Sequence, residues 1–349
     1  MKADPLRRRA IAALVVVNLL WGISFPAMKA TNLIMDRHQA SASSTKAAVP
    51  PSAITKVVAA SFFMAVRFAT ALLLLGLFVP RLFVGLTAEQ WLMGAWTGLA
   101  FSAGFLLQIV GLNYIPASRS GFLTSLAVVF TPLLAIIFER RPPRWPVVGG
   151  AVLALLGTAI LTGLFELGGP CGVRLAADAW RRVGPGDWLT TLAAFIFAIQ
   201  IVLIDTFSRR MPAGRLTPGM FAATLAVGGA AFLGGQLWQP SSGGFAVWGG
   251  LLMDVPFLVL VLLMSLLCTV LAFHWMNKYQ GHVSPAHAAL IYTLEPIFAT
   301  AWAMVLPGLI SLFIELRYPS ERPGWELVAG GMLVVAGNAL ALWPTEYSN

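Results

Sequence analysis

Apolar residues in this chain come in unbroken runs rather than in alternation or in single helical stripes. Crossing the hydrocarbon core of a bilayer as a helix takes about 20 such residues. Ten runs reach that length: 11–31, 57–79, 88–112, 116–138, 145–165, 187–207, 217–239, 255–280, 284–306 and 324–343. The segments between them are polar or rich in Pro and Gly. Runs 88–112 and 116–138 are separated by so little chain that they must form a tight hairpin at Pro116. The pattern predicts an all-α integral membrane protein of about ten transmembrane helices.

Composition agrees. Of 349 residues, 58% are hydrophobic and only 11% charged, with a mean hydropathy of +0.81. A soluble domain carries about 25% charged residues, because water must wet its surface. The net charge of +9 does not point to nucleic acid, since the basic residues lie in short segments between apolar runs instead of forming one stripe. With both termini inside, the inner segments hold Lys2, Arg7, Arg8, Arg9, Arg81, Arg140, Arg141, Arg144, Arg209, Arg210, Arg215 and Lys278, and the outer loops hold fewer cations, including Lys46 and Arg181. The positive-inside bias therefore places the N- and C-termini in the cytoplasm. Arg7–Arg9 precede an apolar run that continues to Ala27 without a small-residue cleavage pattern, so the first span reads as uncleaved. Cys171 falls in a loop and Cys268 in a run, which gives no disulfide framework.

Landmarks recur along the chain. Trp145, Gly150 and Gly157 punctuate span five, and Trp325, Gly330 and Gly337 punctuate span ten at identical spacing. Tyr114 and Pro132 flank span four much as Tyr279 and Pro296 flank span nine. This predicts two copies of a five-helix unit, residues 1–165 and 187–349, joined by an outer loop at 166–186. An odd number of spans inverts the second copy, the arrangement by which many secondary transporters alternate access. Gly94 and Gly98 in span three, and Gly228, Gly229, Gly234 and Gly235 in span seven, offer small surfaces for close helix approach.

Several short motifs fall in a familiar order. They are Leu20-Trp21-Gly22-Ile23-Ser24-Phe25, Arg67-Phe68, Gly111-Leu112-Asn113-Tyr114 leading through Ala117-Ser118 to Pro132, and Leu294-Glu295-Pro296. With the terminal Trp-and-glycine spans, this order resembles the EamA family of the drug/metabolite transporter superfamily over nearly the whole chain. The resemblance implies ten helices in two five-helix repeats around a central cavity for metabolites or drugs, often exported. The long loops at 32–56, 166–186 and 308–323 depart from the compact family pattern.

Charge at the bilayer centre is costly and tends to mark function. Arg67 is the eleventh residue of run 57–79 and Glu295 the twelfth of run 284–306. Glu295 either lines the substrate path or pairs in a buried salt bridge, and Pro296 weakens the helix beside it. Arg67 reads as structural. Asn18, Trp21 and Ser24 in span one, Gln108 in span three and Gln200 in span six are further substrate-path candidates. His274 in span eight either carries a coupling proton or makes an interhelical hydrogen bond. Lys29, Tyr114 and Arg119 form an outer vestibule or serve as interfacial anchors. No HExxH, GxSxG or phosphate-cradling loop is present, and His282 and His287 lack the spacing of a helical metal pair. No catalytic residue, metal or cofactor is expected. The expected function is a secondary transporter of a small solute in the inner membrane, the alternative being a membrane-embedded enzyme or lipid-handling protein.

Overall fold

The computed structural model describes residues 5–42, 52–139, 145–167, 173–176, 182–239, 244–279, 282–283 and 291–341. Lys2, Lys46, Arg140, Arg141, Arg144, Cys171, Arg181 and His287 lie outside the described residues.

Helix α1 runs Pro5–Ala42, so the outer loop expected from residue 32 begins as a continuation of the first span. Helix α2 (Ala53–Phe78) starts where the Ser52 hydroxyl accepts the Thr55 N–H, and α3 (Ala88–Gly111) starts at a Thr87/Gln90 capping box. Such caps satisfy amides that have no partner in the first turn. Span four is two helices, α4 (Ala117–Thr124) and α5 (Ala127–Glu139). The break has a side-chain cause: Asn338 donates to the Ser125 carbonyl at 3.3 Å and to its hydroxyl at 3.1 Å. The backbone there tightens to three-residue bonds, with Val128 N–H on Ser125 and Val129 N–H on Leu126.

Helix α6 (Trp145–Leu161) is followed by a small antiparallel hairpin, β1 (Phe165–Leu167) with β2 (Val173–Leu175). The second half brings α7 (Pro185–Ser208), α8 (Thr217–Trp238) and, between the runs 217–239 and 255–280, a short α9 (Phe245–Leu251). Span eight is α10 (Val255–Leu263), a π-helical stretch at Met264–Leu271, and α11 (Ala272–Tyr279). Helix α12 covers Glu295–Ile314 and α13 covers Trp325–Ala341. Among the described residues seven helices are long and apolar enough to span a membrane, and α6 and α13 are shorter apolar helices.

Span nine departs most from expectation. Residues 291–292 are helical, 293–294 form a turn and Glu295 opens α12, so the span is interrupted beside Glu295. Pro296 stands in the first turn of α12 and has no N–H to continue the preceding helical turn across that break. Pro307 lies well inside α12 and removes a second backbone donor there.

Polar side chains are buried among apolar ones while large apolar side chains face outward, as lipid as solvent requires. Asn18, Ser61, Thr97, Ser102, Thr224, Ser265 and Asn338 are buried, while Leu73, Leu237, Trp238 and Leu312 are exposed. Inside, hydroxyls find partners along their own helices, for example Ser61 on the Val57 carbonyl and Thr224 on that of Met220, both at 2.8 Å. Helix α1 packs on α12 and α11, α2 on α8, α3 on α7 and α8, α5 on α7, and α6 on α13. The closest seam is α6–α13. A Cβ on Gly150 would lie 2.5 Å from the Gly337 carbonyl oxygen, and one on Gly337 would lie 2.6 Å from that of Gly150. Gly157 and Gly330 face each other in the same reciprocal way. Gly94 and Gly98 meet α8 at Gly219 and Met220, and Gly228 meets α2. Gly235 meets Val58, but Gly229 and Gly234 face open space, so only part of the span-seven glycine cluster serves packing.

Candidate functional site

Arg67 sits in the middle of α2 and is buried, 4% exposed. Its guanidinium has five donors in a fixed fork. Nε and Nη2 donate to Thr269 Oγ1 at 3.2 and 3.0 Å, and Nη1 donates to Ser24 Oγ at 3.0 Å and toward Met264 Sδ at 3.8 Å. The Phe105 ring lies 5.1 Å from the guanidinium carbon, in cation–π range. The Arg67 carbonyl in turn accepts from Ser265 Oγ at 3.0 Å. Met264, Ser265 and Thr269 all belong to the π-helical stretch. Adding a residue to the turn re-aims side chains, and such stretches occur frequently at functional sites. The salt bridge envisaged between Arg67 and Glu295 is not among the described ion pairs. Arg67 is held by neutral acceptors and a ring.

Next to this anchor lies a continuous aromatic cluster. Phe68 meets Phe101, Phe105 and Phe221 at centroid distances of 5.5, 5.8 and 5.3 Å. Phe101 reaches Phe197 and Phe273, and Phe221 reaches Phe273. Trp21 closes the chain against Phe273 at 5.7 Å and Tyr292 at 5.9 Å. Helices α1, α2, α3, α7, α8 and α11 thus all send a ring to the centre.

Trp21 and Tyr292 lead to Glu295. Gly22 lets α1 come within 2.8 Å of a Cβ contact with the backbone of Ala299, one turn into α12. One turn back along each helix stand Asn18 and Glu295. Asn18 is fully buried; its amide nitrogen donates to Leu14 O at 2.7 Å, and its Oδ1 has no partner. Glu295 is half-buried and carries no hydrogen bond or ion pair among the described residues. Ser24 serves Arg67 instead. Gln200 is buried and directs its amide to Met220 Sδ at 3.5 Å. Gln108 donates to Thr124 Oγ1 at 2.8 Å and so ties α3 to α4.

His274 does not join this centre. With Leu75, Leu82, Pro212, Gly214, Thr217 and Lys278 it lines a cavity of about 220 Å³, at the end of the bundle where α3 begins. A larger groove of about 570 Å³ is lined by Ala69, Leu72, Leu73, Gly76, Pro80, Phe83 and Leu225, all apolar or glycine. It offers no polar chemistry and belongs to the lipid-facing surface.

The three vestibule candidates gather where α3 ends, but all have partners. Lys29 Nζ donates to the Ile115 carbonyl at 2.6 Å, and Lys56 Nζ lies 3.9 Å over the Tyr114 ring. Arg119 pairs with Asp187 at 2.6 Å and donates to the Thr162 carbonyl at 3.3 Å. Sequence reasoning passed over Thr269, Asn338, Asp187 and Glu321. The first two are ordinary polar residues of apolar runs, and only the fold brings them to Arg67 and Ser125. Asp187 and Glu321 are acids flanking spans, and nothing in their sequence neighbourhood names their partners.

These features define a multi-pass membrane protein with polar groups gathered at depth, and no metal-binding cluster is found among the described residues. Residues 8–163 match the model of the EamA-like transporter family. Over 342 residues, 95% of this chain and 86% of the relative, the chain is 25% identical to an uncharacterized transporter from Archaeoglobus fulgidus. A solved crystal structure of a protein 19% identical in sequence shares the fold, with a TM-score of 0.51 over 96% of both chains.

Proposed function

We propose that this protein is a secondary transporter that exports a small metabolite or drug-like solute across the inner membrane by alternating access, with both termini in the cytoplasm. The observation that carries this reading is Glu295, a carboxylate among the spans with no partner among the described residues, one helical turn before the α1–α12 contact of Gly22 with Ala299. A structural charge at that depth should be paired, as Arg67 is; an unpaired one fits a group that meets solute or proton. The aromatic rings from Trp21 to Phe68 supply an apolar wall for the body of a solute. Gln200 and His274 extend the path towards the cavity at the start of α3. A proton is the coupling ion this path suits best, since Glu295 and His274 both bind protons.

The alternating mechanism rests on two inverted halves, residues 1–165 and 187–349, with 166–186 as connector. The reciprocal seam supports it: Gly150 meets Gly337 and Gly157 meets Gly330, two contacts that exchanging the equivalent positions of the halves maps onto each other. The packing pairs support it too, because exchanging the halves maps α3–α7 onto α1 with span eight, and α5–α7 onto α12–α1. The test is uptake and efflux in proteoliposomes against a panel of metabolites, with and without an imposed pH gradient. Saturable movement of a solute is the expected result. Turnover of a compound without movement of any solute would replace this reading with an enzymatic one.

A further inference from the structure

The loop after α12 is the last of the three long departures named above, and it is built onto the bundle at defined points. Glu315 takes a left-handed conformation (φ 53°) and turns the chain back. The segment 316–323 then descends along α12. Ser311 Oγ donates to the Tyr318 carbonyl at 2.8 Å and accepts the Tyr318 N–H at 3.0 Å. Gly308 N–H donates to Ser320 Oγ at 3.2 Å. Glu321 N–H donates to the Ala303 carbonyl at 3.0 Å. The last contact has a local cause. Pro307 has no N–H to offer the carbonyl four residues earlier, so Ala303 keeps a free acceptor that the strap fills. From Ser311 to Ala303 the strap follows the helix inward by about 12 Å at the usual helical rise.

At its deep end the strap crosses to the other half of the molecule. Glu321 Oε1 accepts the Ala117 N–H at 2.7 Å, and Oε2 accepts the Ser118 N–H at 3.3 Å and the Ser118 hydroxyl. Helix α4 begins after Pro116, which has no side-chain cap of its own. Glu321 takes the place of that cap from 204 residues away, with its negative charge at the positive end of the helix. The Ile115 carbonyl beside it is held from α1 by Lys29. One carboxylate therefore ties α12 to the start of α4, at the opposite end of α3 from the cavity containing His274.

We infer that Glu321 is the latch of the mouth at this end of the transporter: the bond between the strap and the start of α4 holds this mouth closed and must release in each transport cycle. This rests on the alternating-access reading, so its test has one arm that needs transport and one that does not. In the first, Glu321→Cys and Ser118→Cys are joined by a short, reducible bis-methanethiosulfonate linker, with Cys171 and Cys268 replaced by serine. Cross-linking is expected to stop solute movement in proteoliposomes and reduction to restore it. Undiminished transport by the fully cross-linked protein would overturn the latch, because a merely structural tie tolerates being made permanent.

In the second arm, Ile115→Cys, buried beneath the latch, is labelled by a membrane-impermeant maleimide in the same serine background. Glu321→Ala should raise the labelling rate at least ~10-fold, since reactivity follows the fraction of time the site is open. Glu321→Gln, which keeps the size of the side chain, should give a smaller rise and covers the case in which the alanine variant fails to fold. Equal rates for the parent and a folded variant would overturn the proposal. Faster labelling in a protein that moves no solute would leave the latch standing and remove the transport reading.

Discussion

Arg67 and Glu295 are both charges set deep among the spans, yet they are treated in opposite ways. Around Arg67 the fold converges. Ser24 of α1, the π-helical stretch and the Phe105 ring of α3 meet the guanidinium, and its donors reach two hydroxyls and a sulfur. Glu295, by contrast, opens a helix, is only half-buried and bonds to none of the described side chains. Under the proposed function, the fixed partners of Arg67 suit a group that stays put, and the lack of described partners at Glu295 suits one that binds and releases something. On that reading depth alone does not mark a working residue; the state of its partners does.

The comparison can be broken most severely at its structural end. Arg67→Ala removes the fork that joins α1, α2 and the π-helical stretch and opens a cavity. Its cost should be about 3 kcal/mol or more, in the range of large core truncations, and folded yield in detergent should fall sharply. A variant that folds as well as the parent would mean that Arg67 is not an anchor.

A smaller effect comes from the glycine seam. Gly337→Ala places a Cβ 2.6 Å from a backbone oxygen that cannot swing aside, so α6 and α13 must separate, at about 1–3 kcal/mol. Gly229→Ala, with nothing within 4 Å, should be neutral or stabilising by up to about 1 kcal/mol through helix propensity. Thermal unfolding of the two variants in one detergent checks the contrast.

The smallest effect lies outside the spans and sharpens the comparison with a third, fully paired charge. Burial pushes Asp254 up, but hydrogen bonds from His38 and the Phe257 amide, with the charges of His38 and Arg37, outweigh it and hold the carboxyl below its usual range. Asp254 meets Arg37 at 3.0 Å and His38 at 2.8 Å, tying the end of α1 to the start of α10. Because the folded value is depressed, the stabilisation is complete above the unfolded value of about 3.9 and is lost as pH falls through the folded one. Asp254→Asn keeps an oxygen to cap α10 but loses the charge that pairs with Arg37 and His38, so it should cost up to about 1 kcal/mol at pH 7. The gap to the parent should narrow as pH falls below about 4 in melting experiments.

Much of the architecture was legible in the runs, because a bilayer imposes length and apolarity on each span directly. Spans two, three, six and seven begin and end within a few residues of their helices. The failures share a cause: apolarity does not say where a helix starts within an apolar run. Run 284–306 contains Glu295 at its middle, yet α12 starts there and extends to Ile314. The break between α4 and α5 depends on Asn338, 213 residues away. Of the candidate site, Arg67, Glu295, Asn18 and Trp21 stood out as polar or aromatic groups in apolar surroundings, and Ser24 was noticed without its partner. The aromatic wall was not legible, since phenylalanine in a membrane helix is the ordinary case.

The division between the two charges is tested most directly by Glu295→Gln, which keeps the shape of the side chain and removes its charge and its proton. Folded yield and melting temperature should match the parent, while solute flux per folded molecule in proteoliposomes should fall by about 100-fold, the scale at which a directly participating acid–base group acts. Flux equal to that of the parent from equally folded protein would contradict the account and leave Glu295 without a part in transport.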